Sequence, residues 1–549
     1  MLNGFINGRT VSIRRENPAD TLHYGKEISL KIFDPHEIAA GQSRYQIVKQ
    51  PHFKAPSNIF PQRRGDLLLL INGMPVIHIE LKKSGIPVSQ AYNQIEKYSR
   101  EGIFSGIFQL IQIFVAMNPE ETVYFANPGP DGRFNKDFYF HWADFNNMPQ
   151  NDWKDIATYL LSIPMAHQLI GYYTIADRTD GVLKVLRSYQ YFAVRAIYDK
   201  VTKRQDWKST DHQLGGYIWH TTGSGKTMSS FKAAQLIADS GKADKVIFVI
   251  DRIELGTQSA REYRNFSAED EAIQETENTD ALVGKMKSPD VADTLIVSSI
   301  QKLGIMAEEG NIRPVDLKKI NQKRIVFIVD ECHRSTFGET FQQIKATFPT
   351  AMFFGFTGTP IQDENQRHQS TTTDIFGDEL HRYSIADGIR DGNVLGFDPY
   401  KVMTYKDKEL RQKVALDYVD ASSVEEVMND PEKERVFNKV LAMPMAGHRK
   451  DDGSWEPGIE DLLPKTQYLT EEHMNAVVDD IVDGWLVLSK NHKFHAIFTV
   501  PSIPQAIKYY RIFKEKAPQL KVTALFDPSL PNDNPDKTIF KENALAEII

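Results

Sequence analysis

Hydrophobic runs and polar breaks divide the 549-residue chain into three patterns. Residues 1–165 mix short strand patterns, such as 44–50, with helical ones. From about 182 to 360, short β-branched runs alternate with longer helical stretches, as in a parallel α/β sheet with both faces covered. From about 385 a polar, acidic stretch precedes two further strand candidates, 493–500 and 521–527. The strands predicted in the middle pattern are 216–220, 245–251, 294–300, 324–330 and 352–360.

The stretch DLLLLINGMPVIHIELKKSG, residues 66–85, predicts a β-hairpin that turns at Asn72-Gly73, because Asn-Gly is a strong hairpin signal. Side chains alternate between the two faces of a strand, so Glu80 and Lys82 share one face. Folding the hairpin about Gly73 places Asp66 opposite Glu80, and a register shifted by one residue is the alternative. Two adjacent carboxylates repel unless a cation lies between them, and Mg²⁺ is such a cation. A lysine beside that metal can orient water or offset phosphate charge.

The helical segment that follows carries Gln94 and Tyr98, which share a face because they are four residues apart. An E-x-K triplet alone is most often part of an ordinary hairpin. Together with this helix, the pattern resembles the PD-(D/E)xK nucleases, and more narrowly their RecB-like branch with its Q-x-x-x-Y signature. The resemblance implies that Asp66 and Glu80 hold the metal and that Lys82 is the catalytic lysine. It also implies that Gln94 and Tyr98 face the active site or DNA.

A glycine-rich loop, H-T-T-G-S-G-K-T at 220–227, lies between a predicted strand and a predicted helix. It matches the phosphate-loop pattern G-x-x-x-x-G-K-[ST], except that His220 replaces the first glycine. Backbone N–H groups and the helix N-terminus favour phosphate at such a loop. Lys226 would reach the β- and γ-phosphates, and Thr227 would bind Mg²⁺.

A hydrophobic strand ending in Asp330 and Glu331 follows the phosphate loop. Alone, such a pair more often caps a helix, but downstream of a phosphate loop it indicates the second half of an ATPase. Asp330 would bind Mg²⁺, directly or through water, and Glu331 would polarise the attacking water. Cys332 lies in the same tetrad, and its position favours packing over a nucleophilic role.

The set H-T-T-G-S-G-K-T, D-E-C-H and T-G-T-P resembles superfamily 2 helicases and translocases. In that family the third motif couples the nucleotide state to the grip on DNA. Stretch 187–194 resembles the adenine-reading glutamine motif, although a plain amphipathic helix is the alternative. Stretches 249–258 and 297–303 resemble DNA-contacting motifs, although ordinary surface residues are an equal alternative. The resemblance implies ATP-binding residues Gln190, Thr222, Gly223, Ser224, Gly225, Lys226, Thr227 and Asp330; coupling residues His333, Thr357, Gly358 and Thr359; and DNA-contacting residues Arg252 and Gln301.

The overall composition, with 41% hydrophobic and 25% charged residues, is that of an ordinary globular protein. The formal net charge of −8 gives no whole-molecule attraction to DNA, so DNA binding depends on local basic patches. The single cysteine excludes an intramolecular disulfide and favours a cytoplasmic location. The chain contains no apolar run of about 18 residues, which argues against a membrane span.

The combination of nuclease and motor motifs resembles the restriction (R) subunit of type I restriction–modification enzymes. The resemblance implies an α/β chain with a PD-(D/E)xK nuclease domain (1–170), a first RecA-like lobe (171–384) and an incomplete second lobe (385–549). It implies an ATP-driven DNA translocase and endonuclease that cleaves unmethylated double-stranded DNA. ATP and Mg²⁺ are the implied cofactors, and methylation (M) and specificity (S) subunits are the implied partners.

Two departures from the family pattern stand out. Gly65 occupies the place before the first aspartate where the family usually has proline. We find no Q-x-x-G-R-x-x-R motif, and the chain stops within the second lobe pattern, so we expect a piece of a longer R subunit.

Two other classes of function fit the sequence. One is a DNA-repair helicase–nuclease without methylase partners. The other is a DNA-binding ATPase whose nuclease domain is only a structural platform.

Overall fold

The computed structural model divides the chain into two compact units, Met1–Gly396 and Phe397–Ile549. It describes residues 10–31, 33, 43–53, 62–129, 133–177, 181–211, 213–250, 274–275, 278–308, 311–332, 339–361, 371–398, 407–450, 454–463 and 468–525. Among these residues, no helix has the length and apolar character needed to cross a membrane.

The strands of the amino-terminal part form a five-stranded mixed sheet in the order β3-β6-β7-β8-β9, together with small two-stranded pairs. Only the β7–β8 pair of the larger sheet is parallel. The strands are β1 (Thr10–Arg14), β2 (Glu27–Lys31), β3 (Tyr45–Lys49), β4 (His52–Phe53), β5 (Arg63–Arg64), β6 (Leu67–Ile71), β7 (Met74–Leu81), β8 (Ile113–Met117), β9 (Thr122–Ala126), β10 (Thr174–Asp177) and β11 (Val182–Val185).

Seven parallel strands form the second large sheet, in the order β14-β15-β13-β16-β17-β12-β18. The carboxyl ends of parallel strands meet at one edge, so the loops that follow β12, β16 and β17 lie close together. These strands are β12 (Leu214–His220), β13 (Lys245–Ile250), β14 (Gln274–Glu275), β15 (Leu295–Ser299), β16 (Ile325–Val329), β17 (Met352–Thr357) and β18 (Glu379–Tyr383).

Helices of the first unit cover both sheets. α1 packs against β7 and β8, and α4 packs against α5 and β18. The helices are α1 (Ser89–Arg100), α2 (Trp153–Tyr159), α3 (Ile163–Gly171), α4 (Ser188–Lys203), α5 (Lys226–Asp239), α6 (Thr279–Lys287), α7 (Ile300–Ala307), α8 (Pro314–Ile320), α9 (Glu339–Thr347), α10 (Thr372–Phe376) and α11 (Ile385–Arg390).

One hydrophobic core joins the two sheets of the first unit. It runs from Ile77 in the mixed sheet through Trp142 and Tyr191 to Phe354 in the parallel sheet. A buried hydrogen bond from Tyr124 Oη to the carbonyl oxygen of Leu186 crosses the same junction at 3.0 Å. The nuclease-like and motor-like parts therefore share packed interior rather than a wet interface.

In the second unit, the described residues are mostly helical. Its elements are α12 (Asp407–Tyr418), α13 (Val424–Met428), α14 (Pro431–Leu441), β19 (His448–Arg449), β20 (Trp455–Glu456), α15 (Ile459–Leu462), α16 (Glu471–Leu488) and α17 (Ile503–Lys516).

The predicted α/β fold and all five predicted strands of the parallel sheet are confirmed. Strands β14 and β18 were not predicted, because one has two residues and the other, ELHRY, is mostly polar. Strands were also predicted at 493–500 and 521–527, but 493–500 and 521–525 form none. No described strand pairs with them, and Ile497 and Leu525 remain over 90% exposed.

Candidate nuclease and nucleotide sites

The predicted hairpin forms, and next to Asp66 and Glu80 its two strands pair in the predicted register. Asn72 and Gly73 both have positive φ, 53° and 80°, as the tight Asn-Gly turn requires. Leu67 pairs with Ile79 and Leu68 with His78, a register that continues to Asp66 opposite Glu80. The register shifts by one only nearer the turn, between Leu69 and Leu70.

Glu80 lies at the centre of the candidate nuclease site and is almost fully buried, at 1% exposure. Its Oε1 accepts a hydrogen bond from Gln94 Nε2 and lies 3.6 Å from Lys82 Nζ. Its Oε2 lies 3.3 Å from His78 Nε2 but has no hydrogen-bond partner among the described residues. Burial raises the pKa of this carboxyl, and the nearby Asp66 charge raises it further, although His78 and Lys82 oppose the shift.

The Asp66 side chain contacts a backbone group at the end of β7, the strand that carries Glu80. Its Oδ2 accepts a hydrogen bond from the backbone N–H of Leu81 at 2.7 Å. The side chain is partly exposed, so one carboxylate of the pair is buried and the other reaches solvent.

Gln94 and Tyr98 lie on one face of α1, beside Glu80 and Lys82. Gln94 bridges two catalytic candidates, because its Oε1 accepts from Lys82 Nζ at 2.7 Å while its Nε2 donates to Glu80. Gln94 Nε2 also lies 2.6 Å from Tyr98 Oη, which donates to the carbonyl oxygen of Arg64 at 3.2 Å. Tyr98 therefore ties α1 to the segment that leads into Asp66.

Two supporting contacts were not predicted from the sequence. The Arg63 guanidinium donates to both carboxylate oxygens of Glu101, each at 2.7 Å, and this bond holds the pKa of Glu101 below its ordinary value. His78 is completely buried among aromatic rings, and the alternation of β7 could have placed it beside Glu80. No local pattern marks the Arg63–Glu101 pair, because its members are 38 residues apart.

Gly65 departs from the family pattern for a steric reason. A Cβ atom at this position would lie 2.8 Å from His78 Cε1 and 2.8 Å from Phe53 Cε2. Proline carries a Cβ, so the buried His78 and Phe53 leave no room for it.

The chemistry of Asp66 and Glu80 fits a hard divalent cation. The observation that supports this fit is the buried, unpartnered Oε2 of Glu80, since a charged oxygen buried without a partner is costly. Among the described residues, no group of three or more His, Cys, Asp and Glu side chains could hold a metal. Of the described residues, Asp66 and Glu80 are the two carboxylates that would hold a cation here, together with water and substrate oxygens.

The phosphate loop adopts a conformation that its glycines permit. Gly223 and Gly225 have φ values of 82° and 78°, and α5 begins immediately afterwards at Lys226. A Cβ at Gly225 would also lie 2.6 Å from Gln190 Nε2. The loop thus requires glycine for both backbone conformation and close contact.

Three motif segments converge on Lys226. Lys226 Nζ lies 3.5 Å from Glu331 Oε1, and the lysine is 7% exposed. A Cβ at Gly358 would lie 3.1 Å from Thr222 Oγ1 and 3.4 Å from Lys226 Nζ. The phosphate loop, the acidic pair and the third motif therefore meet at one edge of the parallel sheet.

Gln190 contacts the loop that would hold the phosphates. Its Nε2 donates to the carbonyl oxygens of Ser224 and Gly225, both at 3.2 Å, while its Oε1 accepts from the backbone N–H of Arg187 at 3.0 Å. Tyr189 Oη also donates to the Ser224 carbonyl, at 2.8 Å. In this structure the glutamine amide supports the loop.

A cavity of about 600 Å³ adjoins the phosphate loop. Its walls include Gly223 and Gly225 of the phosphate loop, together with Phe140 and Arg187. The Arg187 guanidinium lies 4.5 Å from the centre of the Phe140 ring. An apolar, cation-flanked cavity beside a phosphate loop has the size and chemistry for a purine base.

The other candidate residues differ in burial. Thr357 is fully buried, and its Oγ1 accepts from the backbone N–H of Thr359. Gln301 is exposed on α7. Cys332 is buried, and burial raises the pKa of its thiol, which agrees with a packing role. Arg252 and His333 lie outside the described residues.

Family models match two parts of the chain. Residues 11–133 match the type I restriction enzyme R protein N terminus, and residues 189–436 match the SWI2/SNF2 ATPase.

Individual relatives agree with the family models. A type I restriction enzyme endonuclease subunit of Staphylococcus aureus is 35% identical over 452 residues, which is 82% of this chain and 42% of that protein. The chain therefore spans less than half the length of this relative. A second relative is the C-terminal part of a putative type I restriction enzyme endonuclease subunit of Mycoplasma pneumoniae. It is 39% identical over 210 residues, or 38% of this chain and 99% of that protein.

Among solved structures, the Hef helicase domain of Pyrococcus furiosus is 16% identical, with a TM-score of 0.29, over 65% of this chain and 66% of that one. From the sequence relatives and family models, the chain belongs to the endonuclease (R) subunits of type I restriction enzymes.

Proposed function

We propose that this chain is an ATP-driven DNA-translocating and DNA-cleaving subunit that acts on unmethylated double-stranded DNA. The observation that carries the proposal is the presence of two chemically distinct sites in one compact unit. One combines a buried carboxylate with a lysine, and the other combines a phosphate loop with an acidic pair. We propose domain limits of 1–170, 171–384 and 385–549.

In the nuclease site, Asp66 and Glu80 would hold Mg²⁺, which when bound neutralises phosphate charge and lowers the pKa of a bound water. Gln94 holds Lys82 beside Glu80, and there its ammonium would contact an oxygen of the scissile phosphate. Gln94 and Tyr98 act as positioning residues, because they bond to the catalytic side chains and to the backbone before Asp66.

In the nucleotide site, the loop N–H groups and Lys226 would bind the β- and γ-phosphates. Thr227 and Asp330 would hold the Mg²⁺ that accompanies ATP, and Glu331 would orient the attacking water. Before nucleotide enters, the opposite charges of Lys226 and Glu331 would offset each other across their 3.5 Å contact. The adjoining cavity, with Phe140 and Arg187 in its wall, would receive the base.

The partners we propose are double-stranded DNA and the methylation and specificity subunits of a type I complex. We propose DNA contact by Arg252 and Gln301, and coupling through His333, Thr357, Gly358 and Thr359. The support for these roles is the match to family motifs and relatives.

A paired experiment tests the proposed function. Binding of a fluorescent ATP analogue with Mg²⁺ is measured for the wild-type chain and for Lys226→Ala, and we expect binding only in the wild type. Cleavage of unmethylated plasmid is measured with and without added methylation and specificity subunits, and we expect it to require Mg²⁺ and Lys82. Nucleotide-independent, Lys82-independent cleavage would contradict the proposal.

A further inference from the structure

Two buried histidines connect the phosphate loop to the amino-terminal part of the chain. His220 ends β12 directly before the loop, and His381 lies on β18, the neighbouring edge strand. His220 Nε2 lies 3.0 Å from His381 Nδ1. His381 Nε2 in turn lies 3.0 Å from the carbonyl oxygen of Phe145. The three residues form a continuous hydrogen-bonded chain.

The direction of this chain follows from its end. A carbonyl oxygen only accepts, so His381 Nε2 carries the proton and its Nδ1 accepts from His220 Nε2–H. The remaining nitrogen, His220 Nδ1, is then an unprotonated acceptor, and it has no hydrogen-bond partner among the described residues. Burial lowers the pKa of both rings, that of His381 to about 4, so both are neutral at physiological pH.

The loop that supplies the Phe145 carbonyl makes two further contacts with β18. The Phe145 ring packs edge-on against His381, with ring centres 5.0 Å apart. Asn147 Nδ2 donates to the carbonyl oxygen of Arg382 at 2.8 Å. This loop, closed by the Ala143–Pro149 bridge, will be called the clamp loop (143–149).

The same edge strand also contacts the phosphate loop from a second side. Tyr383 stacks on Tyr189 at 3.7 Å between ring centres, and Tyr189 bonds to the Ser224 carbonyl. The backbone N–H of Thr221 donates to the Tyr383 carbonyl at 2.9 Å. Strand β18 thus lies between the clamp loop and both ends of the phosphate loop.

We propose that His220 and His381 are positioning residues that fix the phosphate loop to the clamp loop, so that nucleotide binding and seating of the clamp loop are energetically coupled. The inference rests on the proposed nucleotide site, and it adds a role for His220, the first residue of the phosphate-loop motif, and for His381, which lies in none of the motifs. A buried donor or acceptor left without its partner is costly, so the hydrogen bonds that join His220, His381 and Phe145 have few alternative arrangements. Any coupling is reciprocal, so bound nucleotide must stabilise the clamp loop by the same free energy.

Two substitutions at His381 each remove one of the two hydrogen bonds that this residue makes. The amide oxygen of asparagine can take the place of Nδ1, so His381→Asn keeps the acceptor for His220 and leaves the Phe145 carbonyl without a donor. The amide nitrogen of glutamine reaches the place of Nε2, so His381→Gln keeps the bond to Phe145 and loses the acceptor for His220. His141→Asn is the matched control, since His141 also bonds to a carbonyl, that of Thr122, but lies off the chain.

Two measurements on the 549-residue chain are compared: affinity for a fluorescent ATP analogue with Mg²⁺, and nucleotide-dependent hydrogen exchange of residues 143–149. In the wild type, nucleotide should slow exchange in the clamp loop. His381→Gln should weaken nucleotide binding roughly five- to a hundredfold, the cost of one unsatisfied buried donor. His381→Asn should bind nucleotide within about threefold of wild type yet lose the protection of the clamp loop. His141→Asn should change neither.

The outcomes distinguish this inference from the proposed function. A wild-type chain that binds no nucleotide would remove the proposed function itself. If the wild type binds nucleotide and both His381 variants bind it equally well, or are both weakened by the same factor, only the proposed coupling is contradicted. If the variants do not fold, ¹⁵N spectra of the wild-type histidines decide the matter. Protonation of His220 at Nδ1 instead of Nε2 would overturn the inferred chain.

Discussion

Around Glu80 the polar contacts come from side chains, whereas the phosphate loop before Lys226 is held mostly through its own backbone groups. Glu80 touches Gln94, His78 and Lys82 through their side chains. The phosphate loop is instead set by two glycines of positive φ and by carbonyl groups that accept from α4. The nuclease site should therefore be sensitive to each side chain, and the nucleotide site to backbone freedom.

The largest expected effect is at Lys82. Lys82→Ala removes the ammonium beside Glu80, and cleavage of unmethylated plasmid in the assembled enzyme should fall by about 10²–10⁴-fold. Affinity for the ATP analogue should not change. Lys83→Ala, at the exposed neighbouring lysine, is the control. Equal loss in both variants would mean that general charge rather than position matters.

The next effect concerns backbone freedom. Gly225→Ala places a Cβ against Gln190 in a left-handed conformation, so we expect nucleotide affinity to fall roughly ten- to a hundredfold, from about 1–3 kcal/mol of strain. Titration with the ATP analogue measures this. Gly284→Ala, a helical position with open space, should leave affinity unchanged. A Gly225→Ala chain with wild-type affinity would contradict the backbone description of this site.

A smaller effect is expected from the positioning tyrosine. Tyr98→Phe removes the hydroxyl that joins Gln94 to the Arg64 carbonyl, and the cleavage rate should fall about three- to tenfold. Tyr92→Phe, on the same helix, is the control and should have no effect. If Tyr98→Phe abolished cleavage, the hydroxyl would have a direct role in the chemistry.

The smallest effect is on stability. The folded-state pKa of Glu80 is raised, so the folded chain binds this proton more tightly than the unfolded chain. Stability therefore falls as pH rises from the ordinary carboxylate range through the raised pKa. In a metal chelator at neutral pH, Glu80→Gln should raise the melting temperature by about 2–4 °C. Glu121→Gln, at a half-exposed position, should leave the melting temperature unchanged. An unchanged melting temperature for Glu80→Gln would mean that burying the Glu80 charge costs little stability.

The same contrast explains what the sequence could predict. The phosphate loop is contiguous, so its adjacent letters and their flanks predicted its strand, turn and helix. Asp66 and Glu80 could be aligned because one short turn separates their strands. His381 could not be assigned, because its partner His220 lies 161 residues away and the bond depends on an edge strand with no hydrophobic signature. The Arg63–Glu101 pair was missed for the same reason.

In the second unit, the strand predictions for 493–500 and 521–525 were wrong, and no strand of the described residues lies beside either stretch. Residues 493–500 have strand-like composition, but a strand forms only when another one satisfies its backbone. Composition alone predicts the propensity and not the partner.

The shared core between the mixed and parallel sheets limits how such a protein can be divided. A cut at residue 170 would leave Leu169 and Ile170 at a new surface and would strip Tyr191 of its contact with Trp142. Each half would expose apolar surface that is now buried, so we expect the two sheets to be exchanged between relatives only as one block.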